Sequence, residues 1–256
     1  QSKEMEALAA QQKEKDRILA ELKKQGKKLN DQITAKQKQM QKVNNAIAAA
    51  IKKAQDDARK LAMAKAAEEK KRKEAEDRAA LKKANASDNG TTTTKIVTRP
   101  DKKVVPAKPM ESVLLNADNI ALNNSFEKNR GSLPWPLDRG VILMHYGSNK
   151  LPSGTILDVT SVTISSDIGT PVKSIFRGTV TAVQTVEDMQ VVIIQHGRYF
   201  TTYSNLSGVS VQKGQEVETG QVLGKVAPNF DGVGAIDFYM SNESSNFDPE
   251  KWLRRR

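Results

Sequence analysis

In the first third of the chain, apolar residues recur at seven-residue intervals. One series runs Leu19, Gly26, Ile33, Met40, Ile47, Ala54 and Leu61; a second, three residues on, runs Leu22, Leu29, Lys36, Val43 and Ala50. Together they read as the a and d positions of a heptad seam, with Lys, Gln and Glu on the outside. Gly26 is a weak spot, costing about 1 kcal/mol of helix propensity. Beyond Leu61 the seam thins to Ala66, Ala67, Ala75, Ala79 and Ala80 among charges, as in a solvated helix. The pattern predicts a coiled-coil helix over residues 1–85. A single amphipathic helix cannot bury its own stripe, so the seam needs a partner: a second copy or a preceding helix. Met5 and Leu8 are periodic with no cap before them, which favours a preceding helix and a chain that is part of a longer helical hairpin.

The period then disappears. Residues 85–109 are rich in Thr, Pro and Lys without repetition, the composition of a linker. Met110–Asn129 regains apolar residues, among them Val113, Leu114, Leu115, Ile120, Leu122 and Phe126, and predicts short helices that dock on a surface. Two roles are open to this segment. It is either a strut against the C-terminal domain or a regulatory arm covering a groove, with Val113, Leu115, Ile120 and Leu122 as its contacts. From Val141 the pattern becomes period two with β-branched runs, at 155–165, 172–186, 191–196 and 199–206, separated by turn residues. The run VSVQKGQEVETGQVLGKV (209–226) places Gly214 and Gly220 where each closes a tight turn between short strands. The fold class expected is α + β: a long helix (1–85), a linker with short helices (86–130), and an all-β barrel-sandwich domain (131–256).

Charge and composition narrow the function. Residues 1–85 hold 23 Lys+Arg and 13 Asp+Glu, so nearly all of the net +11 lies there. Interleaved acids and the absence of any aromatic residue before Phe126 argue against base stacking, and no recognition module appears, so nucleic acid is not expected as a partner. No run reaches the roughly 18–20 apolar residues of a membrane span, and no signal-peptide pattern opens the chain. The absence of Cys excludes disulfides and thiolate metal sites and suits an exported protein. A zinc site needs about three or four His, Cys or carboxylate ligands. With only His145 and His196 in the whole chain, no cofactor or metal is expected, and no catalytic residue is assigned.

The double-glycine hairpin alone is shared by several β folds, carrier domains among them, but no Lys stands in a carrier-like context. The surrounding motifs are more specific. In order they are GSLPWP (131–136), Gly140-Val141-Ile142, Gly169-Thr170-Pro171-Val172, Gly178-Thr179-Val180, VIIQHG (192–197), YSNLS (203–207), the hairpin, and DPEKWL (248–253). This series resembles the LytM (lysostaphin-type) peptidase family, and its two ends resemble the non-enzymatic branch of that family, the EnvC-like murein hydrolase activators. In active members a His, an Asp four residues later, and the second His of an HLHFE-like strand hold zinc. The resemblance places these positions at Val159, Thr163 and the strand Ala235-Ile236-Asp237-Phe238-Tyr239, with Asn205 where a further His is expected. The zinc site is therefore expected to be degenerate at Val159, Thr163, Ala235 and Asp237.

The resemblance implies a function without catalysis. The emptied groove, with Tyr203, Asn205, Asp237 and Tyr239 near its floor, would bind and activate a periplasmic N-acetylmuramoyl-L-alanine amidase in cell division and daughter-cell separation. The coiled coil would be held by an FtsEX-type transporter at the inner membrane, with peptidoglycan as a further partner. The alternative is a passive peptidoglycan-binding or envelope scaffold.

Overall fold

The computed structural model describes residues 2–85, 112–115, 117–151 and 153–255; most of the linker, and Met110 with it, lies outside them. Helix α1 (Ser2–Asn85) is a single helix of 84 residues. Its Ala, Lys, Glu and Gln content has high helix propensity throughout. Exposed pairs one turn apart, such as Lys73–Glu69 at 2.8 Å and Arg72–Glu76 at 3.6 Å, line its outer surface near the C-terminal end. No described helix is long and apolar enough to cross a membrane.

After α2 (Ala117–Lys128) come twelve strands. They are β1 (Val141–Met144), β2 (Gly147–Lys150), β3 (Ile156–Val159), β4 (Val162–Ser165), β5 (Pro171–Lys173) and β6 (Gly178–Val186), followed by β7 (Met189–His196), β8 (Tyr199–Ser207), β9 (Glu216–Val217), β10 (Val222–Val226), β11 (Ala235–Ser241) and β12 (Asn246–Phe247). Ten of them form one antiparallel sheet in the order β1-β4-β11-β8-β7-β6-β9, with β10 bridging β5 and β8 and β12 on β11, while β2 and β3 pair apart. Gly214 and Gly220 have φ of 85° and 83° and close the turns on either side of β9, where a Cβ would be strained. The molecule is thus α + β, a long helix followed by a sheet domain.

Because successive strand residues face opposite ways, the sheet carries two separate apolar clusters. The inner one includes Val192, Ile194, Tyr203, Ile236, Phe238 and Met240, closed by Leu133, Trp135 and Trp252. The outer one, from the alternate positions, joins Met189, Val191, Ile193, Phe200 and Tyr239 to Val43, Ile47, Ala50 and Ile51 of α1. The heptad seam predicts a helical partner; the structure gives its middle a sheet instead. From Leu29 to Ala58 the partly or fully buried positions recur at helical spacing along this contact. Beyond it the seam lies open: Ile18, Leu19, Leu22, Leu61 and Met63 are all exposed.

Of residues 110–129, the structure describes 112–115 and 117–129. Helix α2 docks at the end of β7 and β8, away from the groove. Phe126 is fully buried there, stacked on His196 at 4.9 Å and on Tyr199 and Trp252 at 5.2 and 5.3 Å. Asn123 Oδ1 accepts from the Arg198 amide and Glu127 accepts from the Tyr199 hydroxyl. Of the four proposed arm contacts, Val113 and Ile120 are exposed, Leu115 is half-buried, and Leu122 packs on the inner core. Leu114, just before α2, is buried in the outer cluster beside α1, and α1 is the element that lies across the row of Thr163 and Asp237.

Candidate functional site

Strands β4, β11 and β8 lie side by side, and their register puts Thr163, Asp237 and Ser204 in one row facing α1. Asp237 is 4% exposed. Its carboxylate accepts from the Thr163 hydroxyl at 2.6 Å and from the Lys36 ammonium of α1 at 2.7 and 2.6 Å, one bond to each oxygen. The ion pair is nearly dry, with 16% and 6% of the two side chains exposed. A charge removed from water needs such a partner.

Further contacts tie α1 down on both sides. Gln32 donates to Asp231, Lys42 pairs with Glu187, and Asn44 donates to Thr160 at 3.0 Å. Between α1 and the sheet remains a cavity of about 150 Å³. Its lining includes the polar Asp237, Thr163 and Asn205 and the apolar Leu29, Ile33, Leu143, Leu157 and Phe230.

The structure thus brings Thr163, Asn205, Ala235 and Asp237 together around one cavity. Val159 does not line it; it is buried at the end of β3. Asn205 reaches the cavity because its backbone turns left-handed, φ 61°, a conformation Asn tolerates. Its side-chain amide donates to the carbonyls of Ala227, Pro228 and Ala235 at 3.1, 3.3 and 2.7 Å, so it clips the loop before β11 to β8. Tyr203 is not a floor residue. It pairs in register with Phe238 on the inner face and accepts the Ile175 amide at 2.9 Å, and burial pushes its phenol up from the ordinary value. Tyr239 faces α1 and is 1% exposed; burial, then the Asp237 carboxylate, hold its phenol well above the ordinary value.

Two hydroxyls on the α1-facing side, Thr202 Oγ1 and Ser241 Oγ, are buried with no hydrogen-bond partner among the described residues. A buried polar group without a partner costs about 1–3 kcal/mol. Helix α1 bonds Asp237 and Thr160 but gives these two hydroxyls no partner.

These residues do not fit a zinc ion. One carboxylate already paired with a lysine, one hydroxyl and two alkyl side chains are not a zinc donor set. Among the described residues no three His, Cys, Asp or Glu side chains cluster anywhere. His196 lies on the far side of the sheet, where its Nδ1–H donates to the Arg177 carbonyl at 2.7 Å and its Nε2 accepts from Thr201 at 2.9 Å. Complete burial lowers its pKa to about 4, so the ring is neutral. His145, at the surface, meets Glu250 at 2.8 Å.

Residues 158–249 match the family model Peptidase family M23. That stretch lies within the sheet domain, running from β3 to the residues just after β12. An uncharacterized protein of Neisseria meningitidis serogroup B is 29% identical over 137 residues, a match covering 53% of this chain and 22% of that protein. This chain therefore spans about a fifth of its relative's length. Similar solved structures include a zinc containing peptidase from Vibrio cholerae, 23% identical with a TM-score of 0.42, covering 49% of this chain and 41% of that one. A chain of the SpoIIQ–SpoIIIAH pore forming complex gives 18% and 0.43, covering 49% and 92%. Lysostaphin gives 21% and 0.39, covering 46% and 53%.

The residues of α1 that close the site, Gln32, Lys36, Asn44 and Ile47 above all, are not among the site positions that the sequence suggests. One signal points to them. Lys36 is a cation inside an otherwise apolar seam, and such a residue calls for a buried acid opposite.

Proposed function

We propose that this protein is a non-catalytic activator of peptidoglycan amidases in the cell envelope. In this reading the groove over Asp237 binds the amidase, and α1 keeps it closed until α1 is pulled away. The observation that carries the reading is the groove itself: its donor set does not suit zinc, and its own helix is latched across it by Lys36 and Asp237. The two orphaned hydroxyls support a cover that gives way to a better-matched surface. The exposed ends of the α1 seam offer a handle for the protein that pulls it. We assign that role to an FtsEX-type transporter, and the site of action to the periplasm during daughter-cell separation.

The test is dye release from labelled peptidoglycan by a purified N-acetylmuramoyl-L-alanine amidase. Ile47→Asp places a charge in the outer cluster and should free α1. The Ile47→Asp chain is expected to stimulate the amidase and to release no dye alone, while the unaltered chain stimulates weakly. Binding to sacculi without stimulation by either chain would replace the activator with a scaffold.

A further inference from the structure

Helix α1 fills the groove imperfectly, and the misfit describes what fits better. At one point its match is close: both carboxylate oxygens of Asp237 are taken by the one Lys36 ammonium, in a place too dry to leave a carboxylate alone. One turn earlier the match fails. Ile33 is only half-buried and is among the residues lining the cavity of about 150 Å³. Phe230 and Leu143, which also line that cavity, remain 55% and 49% exposed. Where its walls are apolar, an unfilled void forfeits dispersion contacts.

We propose that the groove selects a partner helix by two residues. One is a Lys or Arg that takes over Asp237. The other is a large side chain, Phe, Met or Leu, three positions before it, which fills the cavity that Ile33 leaves and covers Phe230. This rests on the groove being a protein-docking site, as argued above, and names the chemistry that the site reads. A helix lacking the cation would strand Asp237 without its counter-charge. A helix with both features outcompetes α1, which has only the first.

The test uses the full chain opened at the latch by Lys36→Glu, which sets a carboxylate against Asp237; Ile47→Asp serves as a second opened form. A fluorescein-labelled peptide of residues 25–58 is titrated against each by anisotropy. The unaltered peptide is expected to bind. Its Lys36→Gln form is expected to bind about 100-fold more weakly, because breaking a buried pair from one side is costly. Its Ile33→Phe form is expected to bind about tenfold more tightly, from the added apolar carbons buried. Equal binding of the Lys36→Gln peptide would overturn the cation requirement, and weaker binding of the Ile33→Phe peptide would overturn the cavity requirement; both leave the docking groove standing. Failure of every peptide to bind, with α1 shown to be free by its hydrogen exchange, would overturn the groove itself and the proposed function with it.

Discussion

Ile47→Ala separates the cover from the domain it covers. Ile47 is 2% exposed and lies among Val43 and Ile51 of α1 and Met189, Val191 and Tyr239 of the sheet. Removing a buried Ile side chain to Ala costs about 2–5 kcal/mol, the lost transfer energy plus the cavity left behind. A middle value of about 3 kcal/mol multiplies the undocked population of α1 by about 100. The inner cluster contains no α1 residue, so the sheet should keep its own stability. Once undocked, α1 is an isolated helix that frays. Hydrogen exchange read by mass spectrometry should then show residues 40–54 exchanging about 100-fold faster, with β7, β8 and β11 protected as before. Unchanged exchange at 40–54 would refute the energetic role given to the outer cluster. Equal loss of protection in β8 and β11 would show helix and sheet to be one cooperative unit, and a cover that moves independently would be refuted.

Two further outcomes concern the far side of the sheet. His196 has its folded pKa lowered from 6.5 to about 4, so the native state holds it neutral while the unfolded chain protonates. Its contribution, on the order of 3 kcal/mol, is present above pH 6.5 and is lost as pH falls from there toward 4. Urea unfolding midpoints should fall across that window, and His196→Gln should flatten the dependence. Phe126→Ala removes the ring stacked between His196 and Trp252 and should cost the sheet domain about 3–5 kcal/mol. If α2 is a strut, that variant melts earlier without stimulating an amidase; a gain in stimulation would restore the segment as a cover.

Much of the architecture is legible in the residues themselves. The seven-residue spacing over Leu19–Leu61 predicts α1, the alternation after Val141 predicts the strands, and Gly214 and Gly220 mark turns that require positive φ. What a seam does not encode is the shape of its partner: Val43 and Ile47 suit the alternate side chains of a β-sheet as well as a second helix. The floor was legible only in part because strand parity decides it. Tyr239 and Asp237 share the outer face, while Tyr203 points inward, and Asn205 escapes the alternation of β8 only through its left-handed backbone. Thr163 and Asp237, far apart in sequence, meet because β4 and β11 pair. The bond that closes the site joins residues 201 positions apart.

The central claim, that α1 must leave the groove for a partner to be activated, meets its most direct test in a reversible lock. The chain has no native Cys, and Asn44 of α1 touches Thr160 of the sheet domain at 3.0 Å. Asn44→Cys with Thr160→Cys, placed in the Ile47→Ala chain, ties α1 down when oxidised and frees it when reduced. The account predicts amidase-dependent dye release from labelled peptidoglycan with the reduced protein, none above the amidase alone with the oxidised protein, and recovery on reduction. Equal stimulation by the oxidised and reduced forms would contradict it.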